Sequence, residues 1–276
     1  LLNNLVQRML INPFDALAEM NVLGILVGAI LLGLAAAISL PRDSAVPKIF
    51  DELAQVTYKL AGWVLTMLPV GLFAITFQLA QKIDFSTLTA LGQLAGIVFA
   101  ATLFHGLVVL PTIAWLVSGK NPLQFLRAVS QPMVTALFTS SSAATLPLSM
   151  QTAQDKLGVD QARSAFVLPL GATANMDGTA LFEGIATVFL AYMFGVELGT
   201  TGVIAIFLVA MLSSVGAPGI PSGSMAGMQM VLLAVGIPLE AIGLLLLIER
   251  PLDTFRTAVN VEGDLVGCLV AKRFAS

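Results

Sequence analysis

Between residues 249 and 264 the chain sets Glu249, Asp253, Arg256, Thr257, Asn260 and Asp264 among apolar neighbours. At 100° per helical residue these six fall within a stripe roughly 100° wide. Leu252, Phe255, Ala258, Val259, Val261 and Leu265 occupy the other angles. The pattern is one polar face of a helix rather than a solvated charge run. Salt bridges that merely fix helix packing would have no use for the uncharged Thr257 and Asn260. A carboxylate, a guanidinium, a hydroxyl and an amide on one face have the chemistry of a binding surface for a charged small molecule.

Three further stretches carry chemistry. "GATANMDGTA" (171–180) interrupts an apolar run with two glycines, two threonines and Asn175. Unwound backbone there exposes carbonyl oxygens, and with Asn175 and Asp177 these form an all-oxygen environment suited to a hard cation. Irregular backbone at membrane depth is tolerated only where it is buried in protein or lines a cavity. "TSSSAATLP" (139–147) is a serine-rich turn whose free N–H groups and hydroxyls suit an anion. "SSVGAPGIPSG" (213–223) has the Gly and Pro content of a loop that opens and closes. Glu183 stands apart, with no cation beside it in sequence, and is a candidate proton carrier.

These groups must be positioned within an apolar chain. Of 276 residues, 57% are hydrophobic and 11% charged, and the mean hydropathy is +0.94. Soluble domains carry about 25% charged residues, so the composition is that of an integral membrane protein. Single Cys and His residues exclude an internal disulfide and a multi-cysteine or His-rich metal centre. Cys268 and His105 read as packed helix residues, the histidine satisfied locally. No targeting signal precedes "LLNNLVQRML", and segments upstream of it are expected.

Apolar stretches near 21–40, 60–80, 88–118, 164–196 and 241–271 reach the roughly 20 residues that a membrane crossing needs. Residues 122–150 and 201–236 instead read as pairs of short arms around polar or Gly/Pro-rich centres, the pattern of re-entrant hairpins. With both hairpins returning to their own side, Arg42, Lys48, Lys59, Lys120, Arg127, Lys156, Arg163, Lys272 and Arg273 share one face. Lys82, Glu197 and Glu240 take the other, which is the positive-inside asymmetry. A hairpin followed by an interrupted helix occurs twice, at 125–196 and 201–271, as in inverted repeats with a midplane site.

The motifs "SSSAATLP", "NMDGT", the Gly/Pro-rich second tip and "LDTFRTAVNVEGD", in that order, resemble the dicarboxylate/amino acid:cation symporters. That is the family of the excitatory amino acid transporters and their archaeal aspartate-transporting homologues. The resemblance implies an all-α integral membrane protein of the glutamate transporter-like fold. It would have two re-entrant hairpins and two interrupted transmembrane helices, begin at the family's fourth membrane helix, and lack the first three. Residues 1–82 would be a partial scaffold and trimerisation region. Residues 83–276 would form a transport domain: a first hairpin near 122–150, an interrupted helix near 161–196, a second hairpin near 201–236 and an amphipathic last helix near 240–273.

The resemblance further implies a multi-pass cell-membrane symporter, homotrimeric and independent of nucleic acid, that couples acidic amino acid uptake to sodium. Ser141, Ser142, Thr179, Gly219, Asp253, Arg256, Thr257 and Asn260 would hold the substrate. Ser142 would take its α-carboxylate, Asp253 the ammonium and Arg256 the side-chain carboxylate. Sodium would bind at Gly171, Asn175, Asn260 and Asp264; at Thr173, Ser214, Val215 and Ala217; and at Asn175 and Asp177, this last set completed by the absent third helix. Glu183 stands where proton-coupled members carry glutamate, so protons are a candidate second ion. Ala143 replaces a usual serine, Ser140 and Thr254 stand where the family often has an arginine, and Pro218 stands where a small residue with an N–H is usual.

The alternatives are a C4-dicarboxylate symporter, which would leave Asp253 without an ammonium, and an intramembrane aspartyl protease built on Asp177 and Asp264. The protease would share a proton between its aspartates, but its Tyr-Asp and Gly-x-Gly-Asp signatures are replaced by "NMDG" and "VEGD". A serine protease using His105 lacks Gly-x-Ser-Gly.

Overall fold

A computed structural model describes residues 6–7, 9–19, 21–41, 43–67, 70–71, 73–74, 77, 84–215 and 222–274. It divides into two compact units, Val6–Phe85 and one whose described part runs from Ser86 to Phe274. Among the described residues the regular structure is helical. The expectations for Arg42, Lys82, Ala217, Pro218 and Gly219 lie outside the described residues.

The first unit contains α1 (Pro13–Ala18), α2 (Val22–Ser39) and α3 (Ala45–Thr66). Asn12 and Asn21 cap α1 and α2 through their side chains. Both α2 and α3 leave large apolar side chains exposed, among them Leu31, Ile38, Ile49, Leu53, Trp63 and Val64.

The second unit begins with α4 (Phe85–Phe104), which passes through a π-helical turn at His105–Val109 into α5 (Leu110–Ser118). This is the one run among the described residues long and apolar enough to cross a membrane. The other expected spans fall short for separate reasons. The run at 164–196 is broken in the middle, 241–271 carries the charged stripe, and 60–80 lies partly outside the described residues. In 21–40 the helix α2 runs over 18 residues, Val22–Ser39, and some of its side chains lie outside the described residues.

Next come α6 (Pro122–Thr139) and α7 (Ser142–Asp155), two helices that pack on each other. Asn121 caps α6, with Pro122 in the first turn where its missing N–H costs nothing. The chain reverses at Ser140, which takes the left-handed conformation (φ 49°), and at Ser141, whose Oγ accepts from Ala144 N at 3.2 Å. Asp160 caps α8 (Gln161–Ala174). The backbone N–H of Arg163, then its guanidinium, hold the exposed Asp160 carboxyl below its usual range.

After α8 the backbone is extended at Asn175 and leaves the helical conformation at Met176 as well, and α9 (Asp177–Met193) follows. The pair α10 (Thr200–Val215) and α11 (Ser224–Val235) again pack together, and both contact α9. A 3-10 turn at Leu239–Ala241 leads into α12 (Ile242–Phe274).

One expectation needs correction here. The last segment is not interrupted: α12 runs unbroken for 33 residues through Pro251. It packs against α5, α6, α7, α8, α9 and α11, and Arg256 through Val266 are buried without exception. Its apolar side joins a core formed with Leu110, Phe125, Val129 and Leu168.

Candidate functional site

The arrangement centres on Arg256, the largest fully buried side chain in the described structure. Its Nη2 donates to Glu249 Oε1 at 3.0 Å, to Asp253 Oδ1 at 3.1 Å and to Ser224 Oγ at 3.0 Å. The guanidinium carbon stands 4.0 Å from the centre of the Phe182 ring, a cation–π contact from α9. Nε and Nη1 have no hydrogen-bond partner among the described residues. Buried donors are normally satisfied, so the group is equipped to meet a further acceptor.

Asp253 and Glu249 face this cation from the same helix. Asp253 Oδ2 accepts from Ser222 N at 3.1 Å, and the half-exposed Arg250 approaches it at 3.5 Å. Glu249 Oε2 accepts from Ser222 Oγ at 2.9 Å. Ser222, itself at positive φ (61°), belongs to the second Gly/Pro-rich stretch and is tied to the charged cluster by both contacts. Thr257 donates to the Asp253 carbonyl at 2.8 Å, which leaves its lone pairs as acceptors.

One turn further on, the stripe meets the break between α8 and α9. Asn260 Oδ1 accepts from Gly178 N at 2.7 Å, and its Nδ2 donates to Thr179 Oγ1 at 3.3 Å. Asn175 Nδ2 donates to Asp264 Oδ1 at 3.0 Å. Gly171 lies against the same carboxylate, where a Cβ would come within 2.6 Å of Asp264 Oδ1. Asp177 Oδ2 lies 3.1 Å from His105 Nε2 and would sit 2.8 Å from a Cβ at Gly263. The carboxylates of Asp264 on α12 and Asp177 on α9 thus lie close to the Asn175 amide at the break, and they supply oxygens of the kind a hard cation takes.

These contacts depend on glycines that let backbones meet. A Cβ at Gly178 would fall 2.7 Å from the Arg256 carbonyl oxygen and 2.9 Å from its Cα. Neither atom can swing away. Gly178→Ala should therefore lower the unfolding midpoint, at an overpacking cost of about 1–3 kcal/mol. An unchanged midpoint in a thermal melt would contradict the tight contact of α9 with α12.

Of the residues expected from the sequence, the structure joins Gly171 and Asn175 to Asp264, Thr179 to Asn260, and Asp253 to Arg256. Ser141 and Ser142 are buried at the start of α7. Thr173 is exposed, and its hydroxyl donates to Leu170 of its own helix. Ser214 is buried with its hydroxyl on the Met211 carbonyl, and Val215 is exposed at the end of α10. Glu183 is fully buried; its Oε2 accepts from Ser213 Oγ, and Oε1 has no partner among the described residues.

Glu249, placed on the stripe by the sequence but given no role there, joins the site as a partner of Arg256. Other participants were not picked out. Ser222, Ser224 and Phe182 have no signal, because their approach depends on how three helices pack. His105 is not satisfied locally as expected but reaches Asp177 across 72 residues. Glu262 is fully buried with neither carboxyl oxygen partnered among the described residues. At 100° per residue it stands about 180° from Asp253, so the stripe argument excluded it. A helix enclosed on all sides removes that distinction.

Comparison with known proteins bears on this geometry. The family model described as the sodium:dicarboxylate symporter family matches residues 1–274. Excitatory amino acid transporter 3 of Bos taurus is 36% identical over 256 residues, covering 92% of this chain and 49% of that protein. Neutral amino acid transporter B(0) of Mus musculus is 40% identical over 250 residues, covering 90% of this chain and 45% of that protein. The chain spans about half the length of these curated relatives.

Proposed function

The chain belongs to the sodium:dicarboxylate symporter family, a family of transporters and not of enzymes, and we propose that it takes part in sodium-coupled uptake of acidic amino acids. The observation that carries this reading is the buried Arg256, held by Glu249 and Asp253 on one nitrogen while Nε and Nη1 keep N–H donors without partners. Its planar guanidinium matches a side-chain carboxylate better than an ammonium could. Asp253 would take the substrate ammonium, Ser141 and Ser142 its α-carboxylate at the start of α7, and Thr179, Thr257 and Asn260 its remaining polar atoms. Gly219, in the tip that ends at Ser222, would close over it.

Charge explains the coupling. With Arg250 on Asp253, the charges of Glu249, Asp253, Arg250 and Arg256 balance, and an acidic amino acid adds one negative charge. A buried site cannot take on that excess without cations. Sodium at Gly171, Asn175, Asn260 and Asp264 would supply the compensation, with further ions at Asn175 and Asp177 and at Thr173, Ser214, Val215 and Ala217. The helix pairs α6/α7 and α10/α11 would be the re-entrant hairpins that close on the ligand, and alternating access would follow from their opening on opposite faces of a cell membrane. The exposed apolar side chains of α2 and α3 support a lipid- or subunit-facing role for residues 1–82, with trimerisation through them.

Protons are the proposed second ion. Glu183 bridges the two arms of the second pair, accepting from Ser213 on α10 and lying against Gly227 on α11. With Glu183→Gln, uptake into proteoliposomes should stay sodium-dependent but lose its pH dependence and its accompanying acidification. An intact pH profile would end the proton assignment.

The reading as a whole is tested by radiolabelled uptake competed with aspartate, glutamate, malate and serine. Aspartate or glutamate should compete far better than malate. Preference for malate would favour the dicarboxylate alternative, and preference for serine would place the chain with neutral amino acid transporters.

A further inference from the structure

At the end of the second unit opposite the start of α12, three helix C-termini meet, and four cations cross between them. Lys120, just past α5, donates from Nζ to the Lys156 carbonyl at 2.8 Å, beyond the end of α7. Lys272, in the last turn of α12, reaches the Leu157 carbonyl at 3.5 Å, and its Nζ stands 3.3 Å from where a Cβ on Gly158 would be. Arg273 donates from Nη1 to the Val117 carbonyl of α5 at 3.3 Å. Lys156 itself is exposed and approaches Gln131 Oε1 at 3.5 Å.

No ion pair involves any of these four among the described residues. The nearby acid Asp160 is taken by Arg163. Partial burial, and then repulsion from Lys272, hold the Lys120 ammonium below its usual range. This is a concentration of unneutralised positive charge in a chain whose net charge is −3.

Carbonyl groups at helix C-termini account for part of the arrangement, since they carry partial negative charge. They do not exhaust it. A lysine ammonium has three donors and a guanidinium five, and each recorded contact uses one. The backbone thus holds Lys120, Lys272 and Arg273 in place with donors to spare, which lowers the ordering cost of binding an anion.

We propose that this cluster is a docking site for the phosphate headgroup of an anionic membrane lipid. The occupant follows from the setting. The composition is that of a chain embedded in lipid, and the cluster lies beyond the end of the apolar helix Phe85–Ser118, where a headgroup layer would begin. Juxtamembrane Lys and Arg residues each strengthen attachment to an anionic surface by about fivefold. The site requires that the chain be membrane-embedded but not that it transport amino acids, so lipid retention and uptake fail independently.

The test is native mass spectrometry of the chain released from nanodiscs of equimolar phosphatidylglycerol and phosphatidylcholine. The parent should retain phosphatidylglycerol preferentially. The triple variant Lys120→Gln, Lys272→Gln, Arg273→Gln should lose most of that preference, whereas Lys120→Arg with Lys272→Arg should keep it. If the triple variant does not fold by circular dichroism, Lys156→Gln with Arg273→Gln, both exposed, should still reduce the preference severalfold. Equal retention of the two lipids by the parent, or an unchanged ratio with a lowered melting temperature in the variants, would reduce the cluster to helix capping. Displacement of the lipid by equimolar inorganic phosphate would also overturn the assignment.

Discussion

Aspartate binding by Arg256→Ala should fall by about 10²–10³-fold, the largest effect expected of any substitution in the chain. Two losses combine. The substrate loses its partner for the side-chain carboxylate, and Glu249 and Asp253 lose the cation that both of them contact. Removing one member of a buried ion pair costs roughly 3–5 kcal/mol because the remaining charge is left unpaired. The same loss would destabilise the fold, so Arg256→Lys is the sharper variant. It keeps the charge but gives up the planar fork and the stacking on Phe182. A folded Arg256→Lys protein should bind aspartate about 10- to 100-fold more weakly in calorimetry while sodium binding without substrate changes little. Wild-type aspartate affinity in that variant would show that the guanidinium serves packing alone.

The second large effect is expected at Asp264. Its Oδ1 accepts from Asn175, and its carboxylate lies against Gly171 closely enough that a Cβ there would come within 2.6 Å. Asp264→Asn keeps the shape but removes the charge that a cation would need. Interactions of charged groups of this kind contribute about 1.5–3 kcal/mol, so sodium affinity should fall roughly 10- to 100-fold. Linkage requires that a ligand whose binding is coupled to sodium weaken in parallel when sodium is below saturation. Raising sodium should then recover much of the aspartate affinity in Asp264→Asn, and should recover none in Arg256→Ala. Unchanged sodium affinity in Asp264→Asn would remove the residue from the cation site.

The parts of this arrangement that were legible from the sequence are those set by local rules. Asp253, Arg256, Asn260 and Asp264 share a stripe because a helix repeats every 3.6 residues. Gly171, Asn175 and Gly178 marked the weak point at which α8 ends and α9 begins. The serine run marked the reversal at Ser140 and Ser141.

What was not legible depends on the packing of distant elements. Nothing near Ser222 or Ser224 announces that they reach Glu249 and Arg256. Nothing near His105 points to Asp177. The expectation of a second interrupted helix failed because a charged segment and a proline suggest a break only when the surroundings are unknown. Packed against six helices, residues 242–274 stay helical through Pro251, and Glu249, Asp253 and Arg256 find partners within the bundle. Glu262 shows the converse limit: the periodicity that isolates a binding face says nothing about polar groups on the opposite side of a helix buried all round.

The central claim is that the α12 charges form a site for an acidic amino acid whose occupation requires sodium. Isothermal calorimetry with aspartate, in sodium and then in choline at equal ionic strength, tests it most directly. The account predicts saturable aspartate binding in sodium, at least 100-fold weaker binding in choline, and sodium-dependent binding weakened about 10- to 100-fold in Arg256→Lys. Equal aspartate binding in the two buffers, or sodium-dependent binding that survives in Arg256→Lys at full strength, would contradict it.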